Sequence, residues 1–333
     1  MTRTLRAVLA SPLLLCAVAA ALLLMRPAQA ADAPDTKPVR LVVPAAPGGP
    51  TDIVARTTGI FLSRANGRKY VVENRAGASG LIGATYVSQA EPDGATLLIA
   101  GAGSFLLARE PDSPKIDLMT DLAPIGIIAG APTLIVTDAR QGATTLERLV
   151  EDSVRNRKPL SWGSPGVSTF GYFLGQSVLN RAGAGETIHV PYKSGPQALL
   201  DVAGGSVQFA VVTLSGALPL LQSGQIRALA ISSPSRSAQV PTTPTFTELG
   251  YGDLTFLTWF ALLAPKNTPA ALLNDLRRDL AAIKKDPEFI EALAVASLQV
   301  SPVEPHNTNK FVRAEMEHWG RLQRPAPTSP KSK

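Results

Sequence analysis

What most constrains this chain is the texture of its apolar residues. They come in short continuous runs of Val, Ile and Leu, separated by Gly- or Pro-containing turns and by stretches with helical spacing. A strand covered on both faces reads as an unbroken apolar run, whereas a half-exposed strand alternates. Arg40–Val43, Tyr70–Glu73, Thr96–Ala100, Ile125–Ala129, Thr133–Thr137, Ile188–Tyr192, Val207–Val212, Ile226–Ser232 and Phe256–Ala264 are the strands this predicts. Between them, Asp52–Arg64, Leu81–Gln89, Thr145–Arg155, Phe170–Arg181 and Gln197–Gly204 have the spacing of helices. Such alternation predicts an α/β architecture, mainly parallel sheets flanked by helices. With 333 residues, 45% of them hydrophobic, the chain is too apolar to be disordered and is long enough for about two domains.

The last third turns helical. Thr268 predicts a cap with Pro269 in the first helical position, and Leu272, Leu273, Leu276, Leu280 and Ile283 mark one face. Asp286-Pro287 restarts a helix through Ala296, and a last helix covers Asn309–Leu322 with Val312, Met316 and Trp319 on one stripe. From Arg324 the chain is rich in Pro, Ser and Lys, which predicts a disordered tail over 324–333.

The formal charge of +6 and pI of about 9.5 raise the question of nucleic acid. The location of the charge answers it. Arg3 and Arg6 precede an apolar run from Ala7 to Met25, and Ala28-Gln29-Ala30 supplies small residues for cleavage. This is the three-part pattern of a secretory signal peptide over residues 1–30, cut after Ala30. An uncleaved anchor is the competing reading, and Pro12 and the Ala-x-Ala site argue against it. A lipid-modified Cys16 does not fit, because Leu15 is not small and the apolar run continues past it. Removing three arginines and no acids leaves 29 basic against 26 acidic residues, a charge of +3. Cys16 leaves as well, so no thiol remains to mispair in an oxidising compartment. The expected product is an exported, soluble protein with no basic run suited to nucleic acid.

Chemistry concentrates in the turns. Val42 through Arg56 reads as a buried strand, a turn over Pro44-Ala45-Ala46-Pro47-Gly48-Gly49-Pro50, and a helix opening near Thr51 or Asp52. Glycine lets a ligand approach the backbone, and free amides at a helix start favour an anion without any basic side chain. The alternative is a capped turn with nothing bound. The segment lacks the Lys-Ser/Thr of a nucleotide loop and the spacing of a dinucleotide fingerprint. Glu73–Gly80 is a second such turn, in which Arg75 is placed to pair with Glu73 or with a phosphate, a structural turn being the expected role. A third contains Gly103 and Ser104. A fourth, with Ser164, Gly166, Val167, Ser168 and Thr169, carries three hydroxyls ahead of the Phe170 helix, and Ser168 or Thr169 there doubles as an N-cap.

Enzyme signatures are thin. No serine has glycine at both −2 and +2. His189, His306 and His318 are scattered. Glu315 with His318 reads as a surface helix pair rather than half a metal site, and Glu186 with His189 has poor metal geometry. Neither a metal nor any other cofactor is called for. Amide-rich turns without a poised acid–base set suit a binding protein better than an enzyme.

Across the chain, these residues also form a recognisable series: Val43-Pro44 through Gly48-Gly49-Pro50-Thr51-Asp52-Ile53-Val54-Ala55-Arg56, Val72 through Ala78, Pro92 through Leu98, Asp121 through Ile125, His189-Val190-Pro191-Tyr192-Lys193, Gly204 through Val207, Arg227 through Ala230, and Trp259-Phe260 with Ala264-Pro265. In this order the sequence resembles the Bug family, the periplasmic solute-binding proteins of tripartite tricarboxylate transporters. The resemblance implies a two-lobed Venus-flytrap fold of the type II-like periplasmic-binding class, closing on a small carboxylate held by amides, hydroxyls and water. It implies residues 31–132 and 254–323 for one lobe and 133–253 for the other, with crossings near Pro132–Val136 and Asp253–Trp259. Carried over, one lobe offers Ala45, Ala46, Gly48, Gly49, Thr51, Asp52, Gly103 and Ser104. The other offers Ser164, Gly166, Val167, Ser168, Thr169, Tyr192, Lys193 and Thr213. The implied partners are an organic anion and membrane permease subunits, or alternatively a periplasmic sensor receptor, with the protein itself a monomer. A small-ester hydrolase using Ser164 or Ser168 is the remote alternative. The chain departs from the family pattern at Ala45, where an aromatic is frequent, at Val212 and Thr213, where acidic residues or Asn are frequent, and over Leu107–Ile116, which looks shortened. Without an acid near Val212 there is no counter-charge for a ligand ammonium, which favours a plain carboxylate.

Overall fold

In the computed structural model, which describes residues 37–106, 116–140, 142–156, 158–167 and 169–323, the apolar runs pair into two sheets. The expected signal peptide, the tail from Arg324 and most of Leu107–Ile116 lie outside the described residues. The first sheet contains β1 (Val39–Val43), β2 (Tyr70–Asn74), β3 (Thr96–Gly101), β4 (Leu122–Ala131), β10 (Thr258–Pro265) and β11 (Gln299–Val300), in the order β11-β4-β10-β3-β1-β2. The second contains β5 (Thr133–Asp138), β6 (Leu160–Ser164), β7 (Thr187–Pro191), β8 (Phe209–Thr213) and β9 (Ile226–Ile231), in the order β7-β6-β8-β5-β9. The helices are α1 (Pro50–Asn66), α2 (Leu81–Ser88), α3 (Gly103–Leu106), α4 (Leu146–Asn156), α5 (Phe170–Arg181), α6 (Gly195–Ala203), α7 (Leu214–Gln222), α8 (Ala270–Ile283), α9 (Pro287–Val295) and α10 (Thr308–Gln323).

The unbroken runs are explained by burial on both faces. In β1, Leu41 and Val43 pack with Val54, Phe61 and Leu62 of α1, while Val42 points the other way, into a cluster with Leu81 and Ala84 of α2. In the second sheet, Leu134, Val136 and Val212 pack with α6 and α7, while Ile135, Trp162 and Val211 face α4 and α5. The cluster containing Val42 and Trp162 is continuous between the two lobes.

Several expectations are corrected. Each sheet is mixed rather than mainly parallel. β1–β2, β1–β3, β6–β7 and β6–β8 are parallel, and the strands next to each crossing run antiparallel to their neighbours because the chain enters and leaves at one edge. α7 was not foreseen, since Gly216 and Pro219 lie inside it. Packing against β8, β9 and α6 overrides its weak propensity. Thr268 does not cap α8. Pro269 occupies the cap position, and the Thr268 hydroxyl donates back to Pro265 O at 2.8 Å. Met316 is 38% exposed, off the buried stripe of Val312 and Trp319.

Register places both sets of turns at the interlobe edge. β1, β2 and β3 are parallel, and β10 is antiparallel to both β3 and β4, so β4 ends at the same edge as they do. After Ala131 the chain passes Pro132 and starts β5 at Thr133, which pairs with Thr213, the last residue of β8. The C-terminal ends of β6, β7 and β8 therefore share the edge at which the second lobe is entered. The return runs from the end of β9 to Thr258. Buried Ser232 ties the two passages: its hydroxyl accepts from Thr133 N at 2.9 Å and donates to Phe256 O at 2.8 Å. Among the described residues no helix is long and apolar enough to cross a membrane.

Candidate functional site

The first lobe presents the turn between β1 and α1. The helix opens at Pro50, earlier than Thr51 or Asp52, because proline is preset for the first helical position and has no N–H to satisfy. Gly49 is the N-cap and offers no side chain. Ile53 N is paired to Gly49 O at 3.0 Å, which leaves the Thr51 and Asp52 amides without intrahelical partners. Asp52, 3% exposed, reaches back into the turn. Its carboxylate accepts from Gly48 N at 3.0 Å, Asn74 Nδ2 at 2.9 Å, and Arg56 through Nε at 2.8 Å and Nη2 at 3.0 Å. Burial raises its pKa, but the hydrogen bonds from Arg56, Gly48 and Asn74 and the Arg56 charge outweigh this and hold the carboxyl below its ordinary range. Asp52 thus fastens the turn. Its oxygens are already engaged by protein donors.

Asn74 was not singled out from sequence. It also donates to Ala45 O at 3.1 Å, closing the turn from the other side. Its register opposite Val43 in the parallel β1–β2 pair is the signal that reveals it. Gly80 brings the third turn in: a methyl built there would sit 3.1 Å from Ser104 Oγ and 3.3 Å from Pro44 Cβ. A methyl on Gly101 would lie 3.9 Å from Thr51 Oγ1. Ala45, Gly49, Thr51, Gly103 and Ser104 are half-buried here, and Ala46 and Gly48 are exposed.

The second lobe repeats the arrangement. Thr169 caps α5: its hydroxyl accepts from Tyr172 N at 3.3 Å and donates to Gly166 O at 2.8 Å, and its carbonyl accepts from Phe173 N at 3.1 Å. The Phe170 and Gly171 amides are left at the helix start. Ser164 is fully buried, with its Oγ 3.2 Å from Gly166 O and 2.8 Å from His189 Nε2. His189 was also missed, since its link to Ser164 depends on the β6–β7 register. Its ring lies 4.4 Å from that of Trp162 and 4.7 Å from that of Tyr172, and burial lowers its pKa, which disfavours the charged ring. Among the described residues no carboxylate is hydrogen-bonded to His189, so the pair lacks the acid that orients a catalytic histidine. Ser168 lies outside the described residues.

Tyr192 N donates to Ser164 O at 2.9 Å, which joins the β7 end to the turn. The Tyr192 hydroxyl donates to Asp201 Oδ2 at 2.6 Å. Burial, together with that bond and the Asp201 charge, pushes its pKa up to about 12. Thr213 ends β8 beside the crossing, where Leu214 N donates to Pro132 O at 2.9 Å, and Ser215 Oγ donates to Thr213 Oγ1 at 3.1 Å.

Each lobe thus ends in a helix start with two amides in hand and a glycine in the left-handed region. Gly48 has φ +83° and Gly166 φ +112°, and a methyl built on either meets no atom within 4 Å. The basic side chains nearby are Arg56, paired with Asp52; Arg75, paired with Glu73 at 2.6 Å and lying over the Tyr86 ring; and exposed Lys193. Val167 is 38% exposed at the tip of the second turn. Among the described residues no cluster of three or more metal-ligating side chains is present. Oriented amides at a helix start can hold an anion without a cation.

Comparison with known proteins agrees in kind. The family described as "Tripartite tricarboxylate transporter family receptor" matches residues 54–325. Protein BugT of Bordetella pertussis is 30% identical over 296 residues, covering 88% of this chain and 90% of BugT. A solved R. palustris protein with adipate is 29% identical at a TM-score of 0.79, over 87% of this chain and 97% of that one. MatC from Rhodopseudomonas palustris with bound malate is 25% identical at a TM-score of 0.76, over 86% of this chain and 98% of that one.

Proposed function

The chain belongs to the tripartite tricarboxylate transporter family of receptors, which are periplasmic binding proteins, and from that premise we propose that it captures a small carboxylate between its lobes and delivers it to the membrane permease subunits of such a transporter. The observation that carries this reading is the convergence of two helix starts, one per lobe, on the edge where the chain crosses between lobes. A carboxylate at a helix start gains about 0.3–1 kcal/mol when exposed and up to about 2 when partly buried. Two such starts, with neutral hydrogen bonds of about 1 kcal/mol each, supply a large part of the roughly 8 kcal/mol of a micromolar complex. Both sets of contacts form together only when the lobes close, so ligand biases an open–closed equilibrium.

In this reading residues 1–30 are an export signal cleaved after Ala30, residues 31–132 and 254–323 form one lobe and 133–253 the other. The protein acts as a monomer in the periplasm and catalyses no reaction. The relatives with adipate and malate favour a dicarboxylate. The absence of an acid at Val212, which is buried among Leu134, Ala198 and Ala210, fits a ligand without an ammonium group. Calorimetry against mono-, di- and tricarboxylates tests the proposal. Saturable binding by at least one is expected, and no binding by any refutes it.

A further inference from the structure

The C-terminal helix touches both lobes. α10 packs on β4 and α3 of the first lobe. Its Trp319, 1% exposed, meets the rings of Phe170 at 4.9 Å and Phe173 at 5.2 Å in α5 of the second lobe, and of Phe256 on the returning passage at 4.7 Å. Phe170 directly follows the 164–169 turn, so Trp319 backs the ligand-facing start of α5. Trp259 of β10 does the corresponding work in the first lobe. Its carbonyl accepts from Ala102 N at 2.8 Å and its ring lies 5.1 Å from that of Phe105, which supports the turn containing Gly103 and Ser104 from behind.

One oxygen joins the two indoles. Glu315 Oε2 accepts from Trp259 Nε1 at 3.2 Å and from Trp319 Nε1 at 3.0 Å. Both indoles are nearly fully buried, at 3% and 1% exposure, so either N–H would be costly to leave unpaired. The tryptophans therefore cannot separate without stranding a donor. We propose that Glu315 is a positioning residue that ties together the supports behind the Gly103-Ser104 turn and the 164–169 turn, holding Trp259 behind one and Trp319 behind the other, while the lobes still open and close in front of them. It touches no ligand. The sequence alone gives Glu315 and His318 as a surface helix pair. The fold instead turns Glu315 inward, to the two indoles.

The inference rests on reading both turns as ligand-facing, but its test needs no ligand, so failed binding and failed coupling are distinguishable. Backbone amide exchange is measured on the ligand-free protein at Ala102 and Phe105 in one lobe and at Tyr172 and Phe173 in the other. Glu315→Leu is expected to speed exchange at both places about tenfold, while Glu315→Gln, whose amide oxygen still accepts, stays within about threefold of wild type. Trp319→Phe keeps a ring but removes one of the two N–H groups that hold the Glu315 carboxylate in place, so the carboxylate is freer to leave Trp259, and the variant is expected to speed exchange at Ala102 even though the ring contacts of Trp319 lie on the second lobe and the returning passage. If Glu315→Leu does not fold, Trp319→Phe decides alone. Exchange at Ala102 and Phe105 that stays at the wild-type rate in Trp319→Phe, or a Glu315→Gln protein as unprotected as Glu315→Leu, overturns the proposal.

Discussion

Replacing Asp52 tests how the first turn is built. The carboxylate takes hydrogen bonds from Gly48 N, Asn74 Nδ2 and both Arg56 nitrogens, all between 2.8 and 3.0 Å. Hydrogen bonds to a charged group contribute about 1.5–3 kcal/mol each. The Gly48 and Asn74 bonds belong at the low end, since water reaches both donors once the carboxylate is gone. The Arg56 side chain is 54% exposed, so its ion pair adds at most about 1 kcal/mol after screening. Asp52→Ala is thus expected to lose about 3 kcal/mol, and Asp52→Asn, which keeps one acceptor oxygen but turns an NH2 toward donors, about 2. The folded carboxyl titrates below its unfolded value. Its contribution is therefore complete above the ordinary carboxylate value, about 3.9, and is lost as pH falls through the depressed folded value. Urea unfolding at neutral pH should show the midpoint falling with unchanged slope, and Asp52→Asn should lose this share of the acid sensitivity. Calorimetry with whichever carboxylate binds should show weaker binding, because the turn is no longer fixed. A wild-type midpoint and affinity in Asp52→Ala at neutral pH would refute the reasoning.

Gly48→Val and Gly166→Val should each abolish measurable carboxylate binding while the protein still unfolds cooperatively. The positive φ costs about 1–3 kcal/mol, and a Cβ at either position enters open space, which the proposed ligand would contest; unchanged affinity would make both turns purely structural. Tyr192→Phe should cost about 1 kcal/mol, leave affinity intact because its hydroxyl is engaged by Asp201, and remove from the ultraviolet titration a tyrosine ionising at about 12. His189 has a folded pKa lowered by burial, so it adds no pH dependence above its unfolded value of about 6.5 and weakens the fold as pH falls from there to the lowered value. His189→Gln should flatten that part of the stability–pH curve, which melting across that range would record.

Where local signals agreed, the sequence was enough. Phe170–Arg181 was bounded correctly because Thr169 caps it and an apolar face runs its length. The strands were legible because burial on both faces leaves unbroken apolar runs. The two turns that precede α1 and α5 could be found from their glycines and the helix that follows. What stayed hidden depended on pairing. Asn74 reaches Asp52 only because β2 lies parallel to β1, and His189 reaches Ser164 only because β7 lies parallel to β6. The antiparallel strands at the crossings follow from the chain using one edge for entry and exit, which no local pattern records. α7 forms against its propensity because its neighbours cover it.

The central claim is that one carboxylate is held between the two turns by backbone amides. A crystal structure with the tightest-binding carboxylate of the calorimetric panel tests it most directly. Carboxylate oxygens are expected within hydrogen-bond distance of the Thr51 or Asp52 amide in one lobe and of the Phe170 or Gly171 amide in the other. A ligand held by Lys193 with no amide of either helix start in reach, or touching one lobe alone, would contradict the account.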